Sequence, residues 1–575
     1  MIRRIGQIAV VLIVATLNAA RCGAQESSTP SADSALKRCI GQRITRITIE
    51  ALGPEFGGQS ASSHLITGLV RKFHVNTRAG VIRQFLQFNE GDICTEINRR
   101  ETERVLRAQW FIQDARVLVY PDKDGVQLIV NTVDVVAVMA DASFKGAVPR
   151  SIAFGSSNFM GRGLLLQAGW RDNGGLRNGR FFRARSAITF NRPIQTSVNW
   201  NRYGLGNRAD IELKYPFFTD LQRFGFRGIL GRDDDYVRYL RPAGDLPYQR
   251  VSRSFLSLGG VARIGHPGFL LVAGGSLSYD GETISPTAVV VSDSGASPFR
   301  EPLPLLPAQP QKVTRANILF GGRALRFVPV EGFDALTGVQ DLRVGVQFGG
   351  QFGRPLRLEG FSNADYFASG DLYAGWGQSN LFAGTEWIFS GRKANGIWDG
   401  RLISGRSAVY FKPTKTATSI VSAEFTGGKD VRVPFQVPLG QSGWGLRGFH
   451  DSYDAGGSRF ILRGEQRQAI GRPWGFADIG SVVFGETGRV WAGRVPFGVT
   501  TPWRAAVGTG VLLSVPPHSR STYRMDVVYA LNPDARSSRW ELRFNSGNFT
   551  RTFWQDPDEA RRARERSLIS NIFAF

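Results

Sequence analysis

Leu446-Arg447-Gly448-Phe449 and, further along the chain, Phe484-Gly485-Glu486-Thr487-Gly488-Arg489-Val490-Trp491 are the two stretches that decide the fold. The first stands among glycines and aromatic residues, which is typical of a loop. The second has the composition of a strand with a single acid at an inward position. Arg447 and Glu486 are therefore candidates for an ion pair between a loop and a strand.

The N-terminus has the features of a secretory signal peptide. Arg3 and Arg4 precede the apolar run 8–17, and the small-residue stretch Cys22-Gly23-Ala24 follows. This order predicts a signal peptide over residues 1–24. Cys22 also allows a lipid-anchored alternative, but Arg21 stands where a lipoprotein signal has a small residue. The polar residues 25–38 lack periodicity and are expected to form a flexible lead.

The chain of 575 residues has room for a large domain and a smaller one, and after the N-terminus it lacks long apolar runs. This argues against membrane-spanning helices, whereas a β-barrel remains possible. The formal net charge of +23 is spread along the chain without a Lys/Arg block, so nucleic acid is not an expected partner. We expect the arginines instead to form ion pairs inside a polar lumen and to contact lipid phosphates.

Cys39 and Cys94 remain after removal of the signal peptide. In an exported chain, two thiols favour a disulfide. Two separate buried thiols are the alternative.

Residues 39–134 have the pattern of a small α+β domain. Ile44, Ile47 and Ile49 indicate a strand. Thr77 and Thr95 are candidate caps of two helices, the second with Ile97, Val105 and Leu106 facing inward. Two β-rich runs around the turn 121–125 complete the order strand, helix, helix, strand, strand.

This order resembles a polypeptide-transport-associated (POTRA) domain, and three local patterns contribute to the resemblance: His74-x-x-Thr77-Arg78-x-x-Val81-Ile82-Arg83, Phe88-x-x-Gly91-Asp92 and Glu103-Arg104-x-Leu106-Arg107. In that family the edge of the sheet accepts an extended client segment by strand addition. The resemblance implies unfolded or extended client polypeptides as partners. A lone small domain without a client is the alternative.

From residue 135 to 575, short stretches rich in aromatic and β-branched residues recur between turn-forming residues. Many alternate apolar with polar residues or glycine, which favours strands with one face toward lipid and one toward a polar lumen. The sequence predicts an all-β transmembrane barrel with antiparallel strands. A soluble β-propeller or sandwich is the alternative.

The two opening stretches resemble motifs of the outer-membrane protein-assembly and secretion superfamily, whose members include BamA and TamA. Leu446-Arg447-Gly448-Phe449 is similar to the (Val/Ile)-Arg-Gly-(Phe/Tyr) tip of its sixth extracellular loop. Phe484-x-Glu486-x-Gly488 is similar to its Phe-x-Asp-x-Gly strand, with Glu in place of Asp. Asn158-x-x-Gly161-x-Gly163 resembles its early-strand motif. The resemblance implies a sixteen-stranded barrel whose long loop folds back into the lumen, where Arg447 meets Glu486.

The C-terminus offers two candidate closing segments. Phe573 and Phe575 match the aromatic-x-aromatic pattern that resembles a barrel-assembly signal. Residues 540–549 also have the pattern of a closing strand, and residues 556–567 that of a short charged helix.

No catalytic motif, cofactor site or metal site is predicted, because the five histidines lack ligand spacing. The resemblance implies a barrel in the outer membrane of a Gram-negative-type bacterium, with the POTRA domain in the periplasm. There it would assist the insertion or translocation of polypeptides. Outer-membrane lipid, lipopolysaccharide and accessory periplasmic subunits are further expected partners. A passive pore and a surface adhesin of the same architecture are the alternatives.

Overall fold

The computed structural model describes residues 39–54, 56, 68, 74–145, 148–172, 178–292, 295–301, 303, 311–356, 365–378, 380–394, 396–441, 445–473, 475–548, 553–554 and 556–564. The predicted signal peptide, the flexible lead, Phe573 and Phe575 lie outside these residues. No helix in the described ranges is long and apolar enough to cross a membrane.

The N-terminal domain, as far as it is described, is a four-stranded sheet with two helices: β1 (Ile40–Leu52), α1 (Ala79–Arg83), β2 (Ile93–Thr95), α2 (Glu96–Arg107), β3 (Ile112–Asp122) and β4 (Gly125–Asp134). The strand order is β2-β1-β4-β3. β1 and β4 are parallel, whereas β3 and β4 form the predicted hairpin. Alternate residues of the strands and one face of α2 enclose a single apolar core.

Two local predictions in this domain are wrong. Thr77 does not cap α1, whose N-cap is Arg78 without a side-chain bond. The Thr77 hydroxyl instead donates to Asp134, because a buried carboxylate is the stronger acceptor. Ile97, predicted to face inward, is 61% exposed. Thr95 caps α2 as predicted, by accepting the backbone N–H of Asn98.

Most of the remaining strands form a closed barrel. Its first half comprises β5 (Val138–Lys145), β6 (Val148–Ser156), β7 (Leu164–Asp172), β8 (Asn178–Ser186), β9 (Gln195–Tyr203), β10 (Gly206–Tyr215), β11 (Phe224–Arg238), β12 (Pro247–Arg263) and β13 (Leu270–Ser292). The short β14 (Gly295–Pro298) follows. The second half comprises β15 (Gln311–Glu331), β16 (Val339–Pro355), β17 (Asp365–Gln378), β18 (Leu381–Ala394), β19 (Ile397–Phe411), β20 (Ala417–Lys429), β23 (Ser458–Gly471), β24 (Asp478–Trp491), β25 (Arg504–Ser514), β26 (Ser521–Ala530) and β27 (Trp540–Asn548). A two-stranded pair, β21 (Val437–Pro438) and β22 (Ala455–Gly456), and the helix α3 (Asp558–Ala563) lie outside the wall order.

The predicted alternation is visible along single strands. In β26, Tyr523, Met525 and Val527 are exposed, whereas Asp526 and Val528 are buried. Since successive side chains of a strand point to opposite faces, the first set covers the outside of the barrel and the second faces the lumen.

The strand count of sixteen is not confirmed. Within the described part of the chain, twenty strands of at least eight residues succeed one another around the wall, and β27 neighbours β5 to close it. The strands β5 to β10 have only eight to ten residues each. Alternation over so few residues indicates a barrel but does not count its strands. Of the two candidate closing segments, residues 540–548 complete the wall.

The two ends of the barrel differ. The N-terminal domain contacts the end that carries the β6–β7, β15–β16 and β25–β26 turns, called the near end below. The opposite, far end carries the connection between β20 and β23, residues 430–457, called the lumen loop below.

Candidate functional site: an arginine network in the barrel lumen

The lumen loop folds back into the barrel. Its paired strands β21 and β22 hold the two arms of the loop together. Between them, Leu446 and Phe449 are fully buried. They pack with inward residues of the wall such as Phe484 and Val528 in one apolar cluster. Burying two large apolar side chains stabilises this placement by roughly 1.5 to 3 kcal/mol each.

Arg447 is directed onto the wall strand β24. Its backbone N–H and its Nε both donate to Oε1 of Glu486, at 2.8 and 2.9 Å. Its Nη1 lies 3.3 Å from Oδ2 of Asp526. The guanidinium stands 3.6 Å above the centroid of the Phe484 ring, which is close enough for a cation–π interaction. The structure thus brings together the arginine and the glutamate that the sequence paired.

Glu486 has no exposed side-chain surface. Its second oxygen accepts a 2.9 Å hydrogen bond from Nε of Arg463 on β23. One carboxylate is therefore held between two arginines. A buried carboxylate is tolerated only when its lone pairs are occupied in this way.

The pair belongs to a larger charged network on neighbouring strands. Arg524 contacts Asp526 at 2.7 Å and Glu465 at 2.8 Å, and Arg463 contacts Glu424 at 2.6 Å. Glu465 is also in contact with Arg467. The sequence analysis did not assign Glu465, Arg467 and Asp526 to this site. Arginines and acids that recur at alternate positions of consecutive strands are the signal that predicts such a network.

Gly448 fits a narrow space beside the wall. Its φ of 81° lies in the left-handed region that favours glycine. A Cβ at this position would lie 3.3 Å from a Val528 methyl group and 3.4 Å from Ala506 and Ala530. Space is also narrow at Gly488 on β24. A Cβ on this residue would lie 2.8 Å from the Phe460 carbonyl oxygen.

The early-strand motif lies at the junction of the two domains, in the β6–β7 turn. The Asn158 side chain donates to the Thr77 hydroxyl at 2.7 Å and accepts the Gly163 N–H at 2.7 Å. The Gly161 carbonyl accepts the backbone N–H of Arg78 at 2.9 Å. A Cβ on Gly161 would lie 2.2 Å from the Asn76 carbonyl oxygen. This motif therefore fixes the N-terminal domain to the barrel rather than contributing to the lumen.

Two arginines strengthen the junction. Arg107 of α2 forms a bidentate pair with Asp341 at 2.8 and 3.0 Å. Arg520, from the β25–β26 turn, donates to the Gln113 carbonyl at 2.6 and 2.9 Å. Burial lowers the pKa of Arg520 to about 10, so the guanidinium remains charged at neutral pH.

The outer edge of β3 is partly occupied by side chains. The Val117 N–H donates to Glu103, and the Val117 carbonyl accepts from Arg99. Beside this edge, a cleft of about 1070 Å³ separates the N-terminal domain from the β15–β16 and β19–β20 turns. Burial raises the pKa of Glu103. The hydrogen bond from the Val117 N–H to its carboxylate partly offsets this rise.

Cys39 and Cys94 are joined in a disulfide, with their Cα atoms 5.0 Å apart. The bond ties the start of β1 to β2.

Fold and site together define a class: a closed antiparallel β-barrel with an N-terminal α+β domain at one end and an arginine-bearing loop folded into its lumen. No family model matches the sequence, and no curated protein matches it. Among solved structures, BamA from Haemophilus ducreyi lacking POTRA domains 1–3 shares 11% identity, with a TM-score of 0.36 over 88% of this chain and 84% of that chain. CdiB from Escherichia coli shares 11% identity, with a TM-score of 0.42 over 88% and 76%. The copper transporter OprC shares 10% identity, with a TM-score of 0.35 over 88% and 92%.

Proposed function

We propose that this protein is an outer-membrane β-barrel that assists the insertion or translocation of polypeptides. The observation that supports this most directly is the seating of Leu446-Arg447-Gly448-Phe449 on Glu486 inside the barrel. That loop position is the one implied by the resemblance to the assembly and secretion superfamily. The same resemblance places the barrel in the outer membrane of a Gram-negative-type bacterium, in contact with lipid and lipopolysaccharide.

The N-terminal domain is proposed to be a POTRA domain that lies in the periplasm. Its parallel β1–β4 pair, the β3–β4 hairpin and the helix α2 support this assignment. On this basis, extended client polypeptides, and accessory periplasmic subunits where present, bind this domain.

Client binding is proposed to start in the cleft between β3 and the barrel turns. At the β3 edge, Glu103 and Arg99 already bond the backbone of Val117. A client strand would have to displace these two side chains, which favours first contact in the open cleft. Arg99 and Glu103 also form an ion pair with each other at 2.8 Å. Both side chains therefore stay paired after a client strand displaces them from Val117.

A passive pore is the second candidate function. The closed barrel is compatible with it, but the lumen loop occupies part of the channel. Neither this function nor a surface adhesin explains why a domain is clamped to the near end by Asn158, Arg107 and Arg520.

The test is depletion of the protein followed by quantitative outer-membrane proteomics. We expect selective loss of a set of client proteins, restored by the wild-type chain and by Arg494→Met but not by Arg447→Met. Arg494 is a matched control because it is 75% exposed. Normal client levels together with altered uptake of small solutes would refute the proposal and favour the pore.

A further inference from the structure

Beyond β27, the last strand that the structure describes, part of the chain lies inside the barrel. Asn548, at the end of β27, pairs with Ser521 at the near end. Beyond it, residues 553–554 and 556–564, called the C-terminal segment below, contact the inner face of the wall. Phe553 packs edge-on against Phe382 and Tyr373, with ring centroids 6.2 and 6.0 Å apart. Both of these wall rings are only 2% exposed, because they point into the lumen.

Polar contacts continue the attachment along β18 and β19. Arg406 donates to the Phe553 carbonyl at 2.8 Å, and Ser404 donates to Asp556. Arg564 donates to the hydroxyls of Ser404 and Ser390, both at 2.6 Å. The wall thus recognises an aromatic ring, a backbone carbonyl, an acid and a base of the segment.

The segment also contacts a distant part of the wall. Arg253 of β12 donates to the Arg562 carbonyl. Five strands of full length separate β12 from β19 along the wall. Ala563 packs between Val433 of the lumen loop and Val251 of β12. The segment therefore bridges β12 and β19 inside the barrel and packs against the lumen loop.

We propose that the inner wall around Tyr373, Phe382, Ser404 and Arg406, called the tail site below, is a peptide-binding site that holds the chain's own C-terminal segment as a displaceable plug. This inference rests on the proposed function, because it names what an arriving polypeptide has to displace. The tail site takes a peptide with an aromatic residue, an acid three positions later and an arginine eight positions after that, as in Phe553, Asp556 and Arg564.

The nature of the contacts favours a plug that can leave. The helix α3 has only six residues, and helices of this length are marginal in water, so its order depends on the wall. Among the described residues, the contacts between the C-terminal segment and the wall are mostly hydrogen bonds, and its apolar packing is through Phe553 and Ala563. A tethered segment remains bound at high effective concentration even when its intrinsic affinity is modest.

The route to the plug starts at the near end. The cleft of about 1070 Å³ is bounded by Phe333. The Phe333 ring packs against Tyr410, 5.7 Å between centroids, in the cluster that also holds Phe553. A polypeptide that enters through the cleft therefore meets the aromatic anchor of the plug first.

The binding test uses a fluorescein-labelled synthetic peptide of residues 553–564 and the full-length protein in detergent. We expect a variant with a weakened segment, Phe553→Ala with Asp556→Asn, to bind the peptide at least tenfold more tightly than the wild type, whose site is filled. Adding Arg406→Leu on the wall should abolish this binding. A peptide with alanine at its first position is the matched control. Equal binding by wild type and weakened variant, or none by either, would overturn the proposal.

The plug test uses a disulfide between segment and wall, Ser404→Cys with Asp556→Cys, in planar bilayers. We expect the oxidised protein to show fewer open events than wild type, and a reductant to increase them at least fivefold. The single variant Ser404→Cys controls for reduction of the native disulfide Cys39–Cys94. Unchanged conductance on oxidation and reduction would refute the plug.

Both measurements are made without clients, so they separate the two proposals. Peptide binding with a normal outer-membrane proteome after depletion retains the tail site and removes the assembly function. Client loss without peptide binding retains the assembly function and removes the tail site.

Discussion

The lumen network makes a quantitative prediction for Arg447→Met. This change removes the charged hydrogen bond from Nε to Glu486, worth about 1.5 to 3 kcal/mol, the longer contact with Asp526, and a buried cation–π contact of about 2 kcal/mol with Phe484. Methionine restores part of the packing on the Phe484 ring, and Glu486 retains its hydrogen bond from Arg463. We therefore expect the open form of the lumen loop to gain about 3 kcal/mol, or roughly a hundredfold in population.

Glu486→Gln should have the larger effect. It leaves Arg447 and Arg463 without the carboxylate that both of them contact. Breaking a buried pair in this way costs about 3 to 5 kcal/mol. The exposed pair of Arg494 and Asp430 is the reference, because Arg494→Met should change the equilibrium by at most about 1 kcal/mol.

Opening is measured by maleimide labelling of Ser452→Cys in the folded barrel. Ser452 lies in the lumen loop, has no exposed surface and contacts Asp534, so labelling requires that the loop leave its seat. Cys39 and Cys94 do not interfere, since they form a disulfide. Labelling rates of Arg447→Met and Glu486→Gln within twofold of the parent variant would refute the reasoning, as would a reversed order of the two.

Three further outcomes are expected. Asn158→Ala removes the bonds to Thr77 and Gly163, so limited proteolysis should cut the linker 135–137 faster than in wild type. Cys39→Ser should lower the unfolding free energy of the N-terminal domain by about 4 kcal/mol, for a sequence separation of 55 residues, in urea titrations followed by tryptophan fluorescence. Gly448→Ala forces a Cβ into a left-handed position and should accelerate labelling at position 452, at a cost of about 1 to 3 kcal/mol.

The lock between loop and wall was accessible from sequence because each partner stands in a distinctive local pattern. Arg447 precedes Gly448 among glycine and aromatic residues, and Glu486 is the single acid of the stretch 484–491. Sequence alone did not show that Arg463 shares the same carboxylate. That contact depends on the register between β23 and β24, which places Arg463 opposite Glu486.

The strand count and the C-terminal segment were beyond sequence reasoning for different reasons. The strands β5 to β10 have only eight to ten residues each, which is too few for their alternation to count them. The short charged helix predicted within residues 556–567 is present as α3, but its position inside the barrel depends on wall residues far away in sequence, such as Arg253 and Ser404. Thr77 was misread as a cap because Asp134, its actual partner, is distant in the chain.

The arginine network has a consequence for the order in which the barrel is built. Apart from Arg447 on the lumen loop, its members lie on β20, β23, β24 and β26, which together with β25 follow one another in the wall. Contacts that are close in sequence form early because the chain closes only short loops to make them. The lumen loop can thus settle on this C-terminal sheet while β5 to β10 are still unpaired. We expect the sheet then to curve around the lumen loop that is already packed on it. The seam between β27 and β5 closes last.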